Sequence, residues 1–197
     1  MDLFLIRHGQ SLANAAGRLI ADRYDGLSAL GISQSQELAH TLAEMRHMPS
    51  LIFSSPWARA RETAEYVYSQ SIEINFDARL AETNPGKFGT WLEADFNQQF
   101  PEFNKNIANQ YEEGESHLDM AYRVCNWVDE EVFPRTSESG LISVVAHGGP
   151  ISVILQYLLG IPIETRYPSF SVPNASFSIL KWRPDLNRYC LLSAGHQ

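Results

Sequence analysis

Three apolar runs in this chain stop abruptly on residues suited to holding an anion. Leu3–Ile6 runs into Arg7-His8-Gly9, Leu51–Phe53 into Ser54-Ser55-Pro56-Trp57-Ala58-Arg59, and Ser143–Ala146 into His147-Gly148-Gly149. An arginine beside a histidine is costly to bury unless something pairs with it. Imidazole serves as nucleophile or proton carrier near neutral pH, and guanidinium meets phosphate oxygens with two parallel hydrogen bonds. Two histidines and two arginines at the ends of buried runs therefore point to an anion such as phosphate. The other histidines read as structural: His40 and His47 lie on or just beyond a surface helix, and His117 joins them. His196 falls at a loose terminus. Arg61 and Glu62 read as a solvated helix face.

The elements that must position these groups alternate. Leu3–Ile6, Leu51–Ser54, Ile72–Phe76 and Leu141–Ala146 read as strands. Ile32–Met45 reads as a helix with an apolar stripe at Ile32, Leu38, Ala39, Leu42, Ala43 and Met45, and Arg59–Tyr68 as a second. A long helix is predicted from a capping serine, Ser116, to Phe133, stopped by Pro134, and another over Ile151–Leu159, closed by Gly160. Ser176–Trp182 and Arg188–Leu192 flank Pro184-Asp185-Leu186-Asn187 as a terminal hairpin. The pattern predicts a single α/β domain over residues 1–197. It is a three-layer sandwich with a mostly parallel mixed sheet, an antiparallel C-terminal hairpin and a small inserted cap at 77–112, rich in aromatics, Asn and Gln. In open parallel sheets ligands bind outside the carboxyl ends of the strands. The three charged ends can thus share one crevice, where helix N-termini add backbone donors for an anion.

Composition narrows the class. The chain has 197 residues, 44% hydrophobic and 19% charged, with a net charge of −8. That length buries a full core without staples. The acidic balance argues against nucleic-acid binding, which relies on positive charge to displace counterions, so any phosphate site must be a local gathering of arginines. Arg7 and His8 interrupt the only apolar run near the start, and Ile151–Leu159 is too short for a membrane span. A cytoplasmic protein without membrane contact is expected, with Cys125 and Cys190 as reduced thiols.

Arg7-His8-Gly9-Gln10-Ser11, with Asn14 following, resembles the signature of the histidine phosphatase superfamily, the phosphoglycerate-mutase-like proteins. Ser55-Pro56-Trp57-Ala58-Arg59-Ala60-Arg61-Glu62-Thr63-Ala64 is similar to its second motif, and Leu80-Ala81-Glu82 with Gly86 to its third. Gly114-Glu115-Ser116 resembles the opening of its long helix, Ala146-His147-Gly148-Gly149-Pro150 its last catalytic motif, and Pro173-Asn174-Ala175-Ser176 the entry to its closing hairpin. The matches span almost the whole chain in the family's order. Phe88-Gly89-Thr90, Glu62 and Trp57 depart from the usual pattern, which bears on substrate and not on the reaction.

The resemblance implies that His8 is the nucleophile and carries a transient phosphoryl group. Arg7, Arg59 and His147, protonated while the anion is bound, form the phosphate pocket; Asn14 adds a neutral donor, and Gly148 joins the phosphate-binding set. Glu82 is the implied general acid, and then general base on water. Neither metal nor cofactor is needed, because the cationic groups take that place. The expected protein is a metal-independent, histidine acid phosphatase-type phosphomonoesterase acting on a small phosphorylated substrate.

Family mutases carry a longer cap with basic residues. Here no arginine lies between Arg79 and Arg123, and Lys87 and Lys105 are the only lysines there. The same interval holds Phe88, Trp91, Phe96, Phe100, Phe103 and Tyr111, which either offer an apolar surface over the phosphate pocket or pack the cap itself. Mutase-type phosphoryl transfer and non-catalytic phospholigand binding remain the alternatives, and an exposed cap or edge strand leaves room for a homodimer. A serine hydrolase built on Ser11 is disfavoured because His147-Gly148-Gly149 follows the serine instead of preceding it. A metallohydrolase lacks a close ligand pair.

Overall fold

In β1 (Asp2–Arg7), alternate side chains serve opposite faces of one sheet. Leu3 and Leu5 join one core cluster, Phe4 and Ile6 another. This computed structural model describes residues 1–20, 22–46, 48–68, 73–163 and 170–197. The other strands are β2 (Leu51–Ser54), β3 (Ile74–Phe76), β4 (Leu141–Ala146), β5 (Phe177–Arg183) and β6 (Arg188–His196). They lie in the order β3-β2-β4-β1-β5-β6. β1 to β4 are mutually parallel, whereas β5 runs antiparallel to β1, and β6 to β5. A mixed α/β sheet covered on both faces is therefore what forms, as the alternating pattern implies. β1 and β4 are continuous apolar runs because both their faces are buried.

The helices are α1 (Leu12–Ala15), α2 (Ala29–Glu44), α3 (Ala58–Tyr68), α4 (Glu93–Gln99), α5 (His117–Trp127) and α6 (Gly148–Leu159). Leu38 and Leu42 of α2 and Ala64 of α3 pack on Phe4 and Ile6. Met120, Val124 and Trp127 of α5 and Ile151 and Leu155 of α6 pack on Leu3 and Leu5. Each apolar side chain so buried contributes about 1.5–3 kcal/mol.

Two helices differ from expectation. α6 starts at Gly148, three residues early, with His147 as its N-cap. Pro150 is tolerated there because the first turn needs no N–H donor from it. The long helix is capped by Ser116 and Asp119 bonding reciprocally. After Trp127 it loosens into a π-helical turn, Val128–Val132, and then tightens into a 3-10 turn, Phe133–Arg135. Pro134 cannot donate to the helical ladder, and the winding changes ahead of it. β6 extends past the expected end, so His196 is no loose terminus: it pairs with Phe177, its ring centred 5.0 Å away. His40 is exposed on α2. His47 and Ile72 lie outside the described residues. Cys125 and Cys190 are free thiols. No helix among the described residues is long and apolar enough to cross a membrane.

Residues 77–112 hold α4 and short 3-10 turns. Their aromatic rings pack on one another: Phe88 meets Trp91, Phe96, Phe100 and Tyr111, and Phe103 meets Phe96 and Tyr111. Phe96, at 1% exposure, is the centre of this cluster. Phe96→Ala is expected to lower stability by about 3–5 kcal/mol, measured as a shift of the urea midpoint.

Candidate active site

The strand register brings the three charged ends together. Arg7 lies opposite Ala146 and Ser54 opposite Val145, so Arg7-His8, Ser55 and His147 all leave the same edge of the sheet. The His8 N–H donates to the Ala146 carbonyl at 3.0 Å, and the Ser55 N–H to that of Val145 at 3.0 Å. Gly9 then has to pass close to α2, where a Cβ would sit 2.5 Å from the Gly31 carbonyl oxygen.

The His8 ring has its tautomer set by its partners. Nδ1 donates to the Gly9 carbonyl at 2.7 Å, which leaves Nε2 with its lone pair, accepting from Arg59 Nε at 3.2 Å. Burial first, then the Arg59 and Arg7 charges, hold the imidazole pKa well below 6.5 against the opposing Gly9 bond. His8 is therefore neutral at pH 7, with Nε2 unprotonated.

Arg59, in the first turn of α3, is 2% exposed. Its Nη1 and Nη2 donate to the carbonyls of Asp22 and Ile20 at 3.1 and 3.4 Å, and its plane lies 4.8 Å from the Trp57 ring. Burial lowers its pKa to about 10, with the Glu82 charge the main opposing influence, so it keeps its charge at neutral pH. Arg7 donates through Nη1 to the Val172 carbonyl, and its Nε is buried without a partner among the described residues. Burial lowers its pKa too, with Glu82 opposing.

His147 is fully buried, its ring 5.0 Å from that of His8 and 5.4 Å from Trp57. Its Nε2 is 2.8 Å from Ser55 Oγ, which also accepts the Trp57 N–H at 3.3 Å. The serine hydroxyl can serve Nε2 as donor or as acceptor, so this contact is compatible with either ring tautomer. The His147 Nδ1 is buried with no partner among the described residues. Burial first, then the charges of Arg59, His8, Arg7 and Arg123, keep this histidine neutral in the free protein.

Glu82 follows the 3-10 turn Ala78–Leu80. Its Oε1 accepts from the Thr83 N–H at 3.0 Å and its Oε2 from the Gly149 N–H at 3.2 Å. A Cβ on Gly149 would come 2.3 Å from Oε1, so a larger residue there would push the Glu82 carboxyl out of its place. Asn14 sits on α1, its Oδ1 accepting from the Ser11 N–H and from Asn174 Nδ2, each at 3.2 Å. Its own amide N–H groups remain to donate.

Arg7, His8, Asn14, Arg59, Glu82 and Gly148 line one cavity of 290 Å³, and His147 packs behind His8. A second cavity of 410 Å³ shares Glu82 and is walled by polar groups, among them Asp22, Arg23, Asn84, Lys87 and Arg123. None of Phe88, Trp91, Phe96, Phe100, Phe103 or Tyr111 lines either cavity. These cap rings thus pack on one another and give no surface over the phosphate pocket, whose apolar lining comes instead from Leu19, Ile20, Phe170 and Val172.

Several participants escape sequence reasoning. His117, read as structural, lines the His8 cavity from the first residue of α5. Its only sequence signal is its place after Gly114-Glu115-Ser116. Asn174 donates to the His8 carbonyl at 3.1 Å, and Thr63 Oγ1 accepts the Gly9 N–H at 3.1 Å. Glu62 is not merely solvated: it accepts the Leu27 N–H at 2.8 Å. Ser11 is buried and spends its Oγ on the Asn14 N–H at the α1 cap, which removes it as a nucleophile. Among the described residues no three His, Cys, Asp or Glu side chains gather as metal ligands.

Residues 3–193 match the profile of the histidine phosphatase superfamily (branch 1). The chain is 30% identical to a glucosyl-3-phosphoglycerate phosphatase of Mycolicibacterium vanbaalenii, over 89% of this chain and 81% of that one. It is 29% identical to phosphoserine phosphatase 1 of Hydrogenobacter thermophilus, over 90% and 85%. A mycobacterial glucosyl-3-phosphoglycerate phosphatase in complex with VO3 superposes with a TM-score of 0.82 at 27% identity, covering 100% of this chain and 99% of that one.

Proposed function

The chain belongs to the histidine phosphatase superfamily, and on that footing we propose that it hydrolyses small phosphate monoesters through a phosphohistidine at His8. The observation that carries this reading is the neutral His8 ring, with Nδ1 tied to Gly9 and Nε2 held against Arg59. In the first step the Nε2 lone pair attacks phosphorus as the ester P–O bond breaks. The leaving alkoxide takes a proton from the Glu82 carboxyl. In the second, Glu82 takes a proton from water, whose oxygen attacks phosphorus; the P–N pair returns to His8 and inorganic phosphate departs.

Phosphoryl transfer asks mainly for positioning and charge around the equatorial oxygens. Arg7, Arg59, Asn14 and the Gly148 N–H supply donors there. His147 gains its charge as the dianion binds. These cations meet the charge a metal would otherwise meet.

The leaving group extends into the 410 Å³ cavity beyond Glu82, whose polar wall favours hydroxylated or acidic alcohols over apolar ones. The named substrates of the relatives, glucosyl-3-phosphoglycerate and phosphoserine, are of that kind. We read residues 77–112 as the cap of a single domain, working in the cytoplasm. Phosphate release is measured across a panel holding those two esters and 3-phosphoglycerate. Hydrolysis of at least one is expected. Turnover of 3-phosphoglycerate with a bisphosphate primer, without phosphate release, makes the protein a mutase instead.

A further inference from the structure

Glu82 stands on a stretch of chain that belongs to no strand or α-helix, between the 3-10 turns Ala78–Leu80 and Gly86–Phe88. A proton donor must sit within hydrogen-bond reach of the ester oxygen, so something has to fix that backbone. Arg123 of α5 touches it at three places. Its Nη1 donates to the carbonyls of Arg79 and Ala81, both at 2.7 Å, and its Nη2 to the carbonyl of Glu82 itself at 3.0 Å. Glu115 closes the bracket: Oε1 accepts from Nη2 at 2.6 Å and Oε2 from Nε at 3.2 Å. The same Oε1 accepts the Asn84 N–H at 2.8 Å, and the Glu115 N–H donates to the Asn84 carbonyl at 3.0 Å.

A guanidinium has five N–H donors, and these contacts use all of them. Arg123 borders the leaving-group cavity yet has no donor to spare for a substrate. We propose that Arg123, locked by Glu115, is a positioning residue that aims the Glu82 carboxyl at the ester oxygen. This rests on the reading of Glu82 as the general acid. A residue that merely anchors α5 would slow all substrates alike. One that aims the acid matters only where the leaving group needs a proton.

The test compares kcat/KM for glycerol 2-phosphate, whose alkoxide must be protonated, with that for p-nitrophenyl phosphate, whose phenolate leaves unaided. Because kcat/KM ends with phosphoryl transfer to His8, the later water step does not enter. Arg123→Lys keeps the charge and loses the fork. It is expected to lower the glycerol 2-phosphate value by about 100-fold, the effect of misplacing a catalytic group by about 1 Å, and the p-nitrophenyl phosphate value severalfold at most. Glu115→Gln, which loosens the fork without removing it, gives the same preference on a smaller scale, and decides if circular dichroism finds Arg123→Lys unfolded. Equal losses on both esters overturn the clamp. Glu82→Gln run alongside separates the two failures. If it too is indifferent to the ester, the acid assignment falls and the clamp with it; if it is selective while Arg123→Lys is not, the clamp alone falls.

Discussion

His8→Ala is expected to reduce phosphate release by about 10⁴-fold or more, the scale seen when a covalent nucleophile is removed. The ring is held as a neutral donor–acceptor pair by Gly9 and Arg59 in the wall of the 290 Å³ cavity. Ser11, the nearest candidate in sequence, is spent on a helix cap. The measurement pairs steady-state phosphate release with acid-labile phosphoenzyme trapped from labelled substrate. Wild-type protein traps label and the variant does not. His8→Asn, closer in shape, controls for collapse of the buried pocket and is expected to be equally inactive. Unchanged turnover in either folded variant removes His8 from the mechanism.

Arg59→Gln carries the second-largest effect, about 10²- to 10³-fold on kcat/KM, as when one preorganised donor to a developing anion is lost. The arginine does two jobs at once. It presents charge to the phosphoryl group, and, after burial, it is the main influence keeping His8 unprotonated. The sign of the second effect is fixed. With the Arg59 charge gone, protonated His8 is less disfavoured and its pKa rises. Because protonated His8 cannot attack, the acid limb of the kcat/KM profile lies well below pH 6.5 in the wild type and moves to higher pH in Arg59→Gln. Arg59→Lys keeps a charge and moves the limb less. An acid limb at the same pH in all three proteins would sever His8 from Arg59.

Much of this site was legible because its chemistry sits where apolar runs end. Leu3–Ile6 and Ile142–Ala146 are buried on both faces, so they read as strands from composition alone, and whatever follows them must emerge at the sheet's edge. Arg7, His8 and His147 are found that way. Arg59 is found from the next strand end, and Asn14 and Glu82 from family motifs. The same local logic misleads where partners are distant. His117 looks like any histidine at a helix start until α5 packs beside the His8 cavity. The aromatics of 77–112 look like a substrate surface until they close on Phe96. Arg123 is one helical arginine among fifteen Lys and Arg residues until its fork is seen to span three carbonyls 41 to 44 positions away.

The sequence by itself determined the alternation of strands and helices and the anion-binding residues at the strand ends, since these follow from hydrophobic period and side-chain chemistry within short windows; the class of reaction came from the resemblance of its motifs to those of a family. Only the tertiary structure decided the tautomer of His8, the start of α6 at Gly148, the polar wall beyond Glu82 and the bracket of Arg123 with Glu115. Each of those depends on which atoms meet across long stretches of chain, through sheet register and helix packing, and no local pattern encodes those meetings.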